Sequence, residues 1–188
     1  MTPELLQLLE ENPIIAAVKD DEGLARCLKN SKPVVFVLYG SVVSIPAITR
    51  QLKDAGKTVF VDVDLLDGLA AREAAVEYLA RATEADGVVS TKAALVRRAK
   101  ALGLAGVYRT FMLDNMALQS LRKSGGGQWA DFIEILPGLM PKLIRRLSHE
   151  LDVPLIASGL IADKQDVIEA LGAGAVAISS TCPAVWEL

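Results

Sequence analysis

Six charged residues stand where solvation does not readily explain a charge. Lys19 follows the apolar run PIIAAV, and Asp62 and Asp64 interrupt TVFVDVD. Lys92 closes GVVSTK, Arg109 ends LAGVYR and Glu134 lies late in DFIEIL. Each run is short, continuous and rich in β-branched residues, the pattern of a strand buried on both faces. A charge between such a strand and its covering helices would need a partner. The side chains should therefore turn the other way, toward a shared polar site at the ends of the runs. There Asp62, Asp64 or Glu134 could act as a general base, with Lys19 or Lys92 as electrostatic support. A structural ion network is the plain alternative for any one of them. For the whole set a bound ligand is favoured, because buried charge is costly and all six cluster together.

A second group suits an anion. Ser158-Gly159 leads through Leu160-Ile161 to Asp163, an expected helix N-cap, and Ser179-Ser180-Thr181 follows another apolar run. Glycine lets backbone approach a phosphate, and N–H groups at a helix N-terminus hold one. Other chemistries lack the residues. The single histidine, His149, lies in an expected helix beside Lys142, Arg145 and Arg146, so no Ser-His-Asp or Cys-His arrangement can be assembled. Cys27 and Cys182 have neither CxxC nor metal spacing and read as reduced thiols. No metal and no cofactor are expected.

The elements that must position these groups are regular. Strand-like runs begin near Pro13, Pro33, Thr58, Asp86, Leu104, Asp131, Pro154 and Gly174, with 18 to 28 residues between successive starts. Helical periodicity fills the intervals: Leu24 and Leu28, Ile48 and Leu52, Val76 and Leu79. Asp114 and Asp163 read as N-caps, and Gly172 as the glycine that ends the helix behind Asp163. Ser124-Gly125-Gly126-Gly127 reads as a linker before strand six. Eight such units predict a compact α/β TIM (β/α)8 barrel as one domain over 1–188, its last helix truncated to part of CPAVWEL. An open doubly wound sheet is the weaker alternative, since no GxGxxG follows the first run. In the barrel register Asp62 and Asp64 point inward with Phe60, while Val59, Val61 and Val63 face the helices. The six charges then lie at the carboxyl ends of strands, where barrel ligand sites form, and the Ser-Gly turn follows strand seven.

The net charge of −3 lacks the strong positive balance typical of a nucleic-acid binder. Any RNA contact must use a local patch. Lys92, Arg97, Arg98 and Lys100 around the fourth helix, and Lys142, Arg145 and Arg146 at i, i+3 and i+4, are the candidates; an ordinary solvated helix face is the alternative. The first residues carry acids where a signal peptide needs bases, and no segment reaches the ~20 apolar residues of a membrane span. A cytoplasmic protein without membrane association is expected.

Together PIIAAVKD, VFVDVDLLDGL, DGVVSTK, RTFMLDNMAL, DFIEILPGLMPK and IASGLIADKQDVIEALGAGAVAIS resemble the glycerol-3-phosphate-responsive antiterminator family, the glycerol uptake operon regulators. The similarity runs from about Pro13 to Trp186. It implies a TIM barrel that binds glycerol 3-phosphate and leader mRNA, regulating transcription antitermination in glycerol metabolism rather than catalysing a reaction. It carries over Lys19, Asp62, Lys92, Arg109, Glu134, Gly159 and the turn from Ser179 to Thr181 as ligand-face residues. The chain departs from the family pattern in having Ser158-Gly159 for a Gly-Gly pair, and VDVD for a His-containing version. If the chain binds RNA, a homo-oligomer would extend its small basic surface. The rival function is a TIM-barrel enzyme acting on a small phosphorylated substrate; a third is a metabolite sensor acting through a protein partner. Fold alone does not choose among them.

Overall fold

Each apolar run forms one strand, and the eight strands pair in parallel in sequence order, β8 closing on β1. The computed structural model describes residues 3–124 and 127–188. The strands are β1 (Ile14–Val18), β2 (Val34–Val37), β3 (Thr58–Asp62), β4 (Gly87–Ser90), β5 (Ala105–Phe111), β6 (Phe132–Leu136), β7 (Leu155–Ser158) and β8 (Ala177–Ser180). Helices follow them on the outside: α2 (Asp21–Cys27), α3 (Ile45–Asp54), α4 (Glu73–Ala82), α5 (Ala93–Ala101), α6 (Asn115–Lys123), α7 (Pro141–Glu150), α8 (Lys164–Gly172) and α9 (Pro183–Trp186). This is the expected TIM barrel, with a last helix of a single turn.

Alternation along the strands divides the core. Outward residues pack under the helices in two clusters. One holds Val35, Val37, Val59, Val61 and Val63 against Ile48, Leu52, Val76 and Leu79. The other holds Ile133, Ile135, Leu155, Ala157 and Ile178 against Leu121, Ile144, Leu147 and Val167. Inward residues fill the lumen: Ile15, Phe36, Phe60, Val89, Val107, Phe132, Ile156 and Ala177. The Phe36 and Phe60 rings meet at 5.3 Å between centroids, tilted by 55°. Gly87 makes room for them, since a Cβ there would come within 2.4 Å of the Phe60 ring.

The N-terminal stretch precedes the first strand and carries no strand-like run. It is a helix, α1 (Pro3–Glu11), lying across the amino ends of the strands. Leu9 is buried in the lumen cluster, and Leu5, Leu6 and Leu8 pack against it. A helix can seal the barrel this way because its apolar residues recur at three and four positions, giving one sticky face.

The caps hold at two sites. The Asp114 carboxylate accepts the amides of Met116 and Ala117. Asp163 accepts from Asp166, whose own carboxylate accepts the Asp163 amide, a reciprocal capping box. The C-terminal reading of that helix needs correction. Gly172 is its last helical residue, and the left-handed turn falls on Gly174, with φ +103°. The helix includes the first glycine and stops there, and only the second glycine adopts the left-handed conformation. Of the linker read at 124–127, residues Gly125 and Gly126 lie outside the described residues. Among the described residues no helix is long and apolar enough to cross a membrane.

Candidate functional site

On five strands the lumen turns from apolar to polar in one inward step. Phe60 is followed two residues on by Asp62, Val107 by Arg109, Phe132 by Glu134, Ile156 by Ser158 and Ala177 by Ser179. Five apolar floor residues thus carry a polar mouth directly above them, at the carboxyl ends of the strands.

Arg109 organises that mouth. Its Nε donates to Glu134 Oε2 at 2.6 Å, its strand neighbour in register, and its Nη1 donates to the Asp62 carboxylate across the lumen. All three are buried, Glu134 completely. Glu134 Oε1 has no hydrogen-bond partner among the described residues. Burial pushes the Asp62 carboxyl up to about 6, against the pull of Arg109 and with help from the negative charges of Asp64 and Glu134. Burial also works against the Arg109 cation, but Glu134 and Asp62 hold its pKa above the ordinary value. One cation therefore faces two carboxylates in a nearly dry pocket.

Arg109 is also a wall of a cavity of about 500 Å³. The loop pair Ser158–Ala162 and Ser179–Cys182 also lines it, and Ala17, Leu38 and Leu136 complete the lining. Gly159 has φ +77° and the next residue, Leu160, has φ +63°. Two successive left-handed residues turn the backbone in a way that leaves the Gly159 and Leu160 amides without a protein acceptor among the described residues. Leucine in that conformation is strained, and its side chain is 72% exposed at the rim. The sequence reading of a phosphate turn used the glycine; nothing in the sequence marked Leu160.

The other candidates separate. The Ser180 hydroxyl donates to the Ile161 carbonyl at 2.7 Å and accepts from the Cys182 amide, so it ties the two loops together. The Ser158 hydroxyl donates to the Ser179 carbonyl at 3.3 Å. Ser179 is buried and Thr181 exposed, both along the cavity. Lys19 is exposed one strand away, in a neighbouring cleft of about 250 Å³ that shares Ala17 and Thr181 with the first. Lys92 lies across the barrel, its ammonium on the Ala71 carbonyl at 3.2 Å.

Asp64 corrects the strand register. Strand β3 ends at Asp62, and residues 63–65 form a turn of 3-10 helix. Alternation stops there, so Asp64 does not face the lumen alongside Phe60 and Asp62. Its carboxylate instead accepts the Ser90 hydroxyl at 3.0 Å, and the Thr91 amide and hydroxyl at 2.6 and 2.8 Å. It braces the loop after β4.

The basic helix faces are partly neutralised. Arg98 pairs with Glu77 at 2.6 Å and Arg146 with Glu150 at 2.8 Å. The Arg97 guanidinium stacks 4.8 Å above the Trp129 ring, an interaction that keeps its charge. Lys142 and Arg145 are exposed on α7.

Comparison with known proteins agrees with this architecture. YgcP of Escherichia coli strain K12, itself uncharacterized, is 41% identical over 184 residues, covering 98% of this chain and 96% of its own. The crystal structure of the glycerol uptake operon antiterminator regulatory protein of Listeria monocytogenes superposes with a TM-score of 0.89 at 27% identity, covering 93% of this chain and 94% of the other. A glycerol uptake operon antiterminator-related protein of Thermotoga maritima superposes with a TM-score of 0.83 at 31% identity, covering 94% and 99%. The family model for the glycerol-3-phosphate responsive antiterminator matches residues 14–186, nearly the whole barrel. The chain therefore belongs to the glycerol-3-phosphate responsive antiterminator family.

Proposed function

We propose that this chain is a regulator that binds glycerol 3-phosphate in the barrel mouth and, according to its ligand state, binds leader mRNA to prevent transcription termination ahead of glycerol-metabolism genes. The observation that carries the reading is the mouth cavity. It is lined by a glycine turn whose amides have no protein acceptor among the described residues, suited to a phosphate. It is also lined by Arg109, held between Asp62 and Glu134 and suited to the polyol hydroxyls. Ser158, Gly159, Ser179 and Thr181 form the phosphate end in this reading. Lys19 and Lys92 contribute long-range positive charge around it, and Asp64 and Ser180 hold the loops.

RNA would meet the cations on the barrel's outer surface, chiefly Lys142 and Arg145, with Arg97, Arg98 and Arg146 at the edges. A ligand that binds both conformations equally shifts nothing, so the phosphate must favour the RNA-competent arrangement. Coupling of ~1–3 kcal/mol gives a 5- to 150-fold change in RNA affinity, and by reciprocity RNA tightens the ligand by the same factor. Pairing of two chains would widen the basic surface, which light scattering with and without RNA tests.

The deciding experiment is filter binding of the protein to its own operon leader RNA, with and without glycerol 3-phosphate. Ligand-dependent retention supports the reading. Absence of RNA binding under both conditions removes it. The alternative is an enzyme on a small phosphorylated substrate, favoured by one observation: the Asp62 carboxyl near 6 suits proton transfer at neutral pH. Turnover of a phosphorylated sugar or polyol, lost in Asp62→Asn, would establish it.

A further inference from the structure

We propose that the buried Arg109–Asp62–Glu134 cluster makes the barrel mouth selective for phosphate monoesters of alcohols and excludes phosphate monoesters that carry a carboxylate. This rests on the reading of the mouth as a phosphate-ester site.

Arg109 is the one charged side chain that lines the cavity; the rest of the lining is the two loops and Ala17, Leu38 and Leu136, whose side chains offer a ligand no hydrogen bond. A phosphate seated on the Gly159 turn therefore directs the rest of a small ligand toward Arg109. The guanidinium there is not a free cation. Two of its nitrogens are already committed, one to each carboxylate. With both acids ionised the cluster carries one positive and two negative charges, behind an apolar wall that screens little.

Two consequences follow for the ligand. A carboxylate brought to this end becomes a third anion beside one cation, and it can only accept hydrogen bonds. A hydroxyl adds no charge and can donate. Glu134 Oε1 adds to the negative side: it is fully buried behind Arg109 and without a donor among the described residues. Such an acceptor is costly to leave unmade, and its uncompensated charge behind Arg109 weighs against a further anion at this end. Rejection of the wrong ligand by unpaired charge is the usual source of strong discrimination.

The groups facing Asp62 are Arg109, Glu134 and Asp64, together with the Asp64 amide that its Oδ1 accepts. Burial among them poises Asp62 to gain a proton near pH 6. Acidification thus removes one of the two negative charges without mutation.

The test is isothermal titration of the full chain, without RNA, using glycerol 3-phosphate and 3-phosphoglycerate as probes. At pH 7.5 the alcohol ester should bind roughly tenfold tighter or more. Glu134→Gln and Asp62→Asn should each narrow that ratio several-fold, and the double variant should erase or invert it. Lowering the pH of the wild type to 5.5 should narrow it as well; both phosphates titrate alike, so the ratio isolates the cluster. A wild-type ratio near one overturns the proposal, as does a ratio that stays constant in folded variants and across pH. If a variant does not fold, the wild-type pH series decides alone. Failure of both esters to bind overturns the inference and the ligand half of the proposed function together. Selectivity without any RNA binding leaves the inference standing and removes only the regulatory reading.

Discussion

The floor and the mouth of this barrel are built from the same strands, two residues apart, and they solve opposite problems. The floor is dry and full: Phe36, Phe60, Phe132 and Ile156 interlock, and α1 seals them from below. The mouth is buried and charged: Arg109, Asp62 and Glu134 hold one another beside a cavity. Apolar packing gains from completeness. A charge cluster gains only when every partner is present, and Glu134 Oε1 lacks one among the described residues. Apolar packing is therefore concentrated below and buried charge above, the division expected of this fold.

The comparison can be broken by changing one layer and reading the other. Phe60→Ala in the floor should cost about 3–5 kcal/mol in denaturant unfolding, because the plugged lumen cannot collapse around the gap. The mouth cluster should keep its ligand preference in whatever fraction stays folded. Arg109→Ala in the mouth should cost up to about 3–5 kcal/mol by leaving two buried carboxylates unpaired. Adding Asp62→Asn and Glu134→Gln to it should recover most of that loss, whereas adding them to Phe60→Ala should recover little. Equal recovery in both backgrounds would mean that the two layers are one energetic unit.

Smaller effects sharpen the boundary. Gly87→Ala forces a methyl against the Phe60 ring and the Ala105 carbonyl, at 2.4 and 2.7 Å, and should cost about 1–3 kcal/mol with no effect at the mouth. Acid acts only above. Burial raises the Asp62 carboxyl from its ordinary 3.8 to about 6, so the folded chain takes up a proton there before the unfolded chain does. Stability should rise by about 1 kcal/mol between pH 7 and pH 5, and Asp62→Asn should abolish the rise. Asp131 and Glu150 are shifted the other way, so their contributions fade only at lower pH. Smallest is Leu160→Gly, which relieves a left-handed leucine and should stabilise the fold by up to about 1 kcal/mol. If the strain positions the phosphate turn, the same change should weaken glycerol 3-phosphate binding in a calorimetric titration.

The sequence by itself determined the eight units, the truncated last helix, the caps at Asp114 and Asp163 and the inward turn of Asp62, Arg109 and Glu134. These follow from local rules: strand alternation, helical period, and the cost of placing charge under a helix. The same alternation misled at Asp64, where the strand had already ended. Tertiary structure alone decided which charges meet. Arg109 finds Asp62 from 47 residues away, and Glu134 from 25, only because the barrel closes. It also assigned Ser180 to the Ile161 carbonyl, Lys92 to the Ala71 carbonyl and α1 to the barrel floor. Those choices depend on distances between loops and helix faces that no periodicity encodes. Residue type and spacing say which way a side chain points; closure of the sheet says what it meets there.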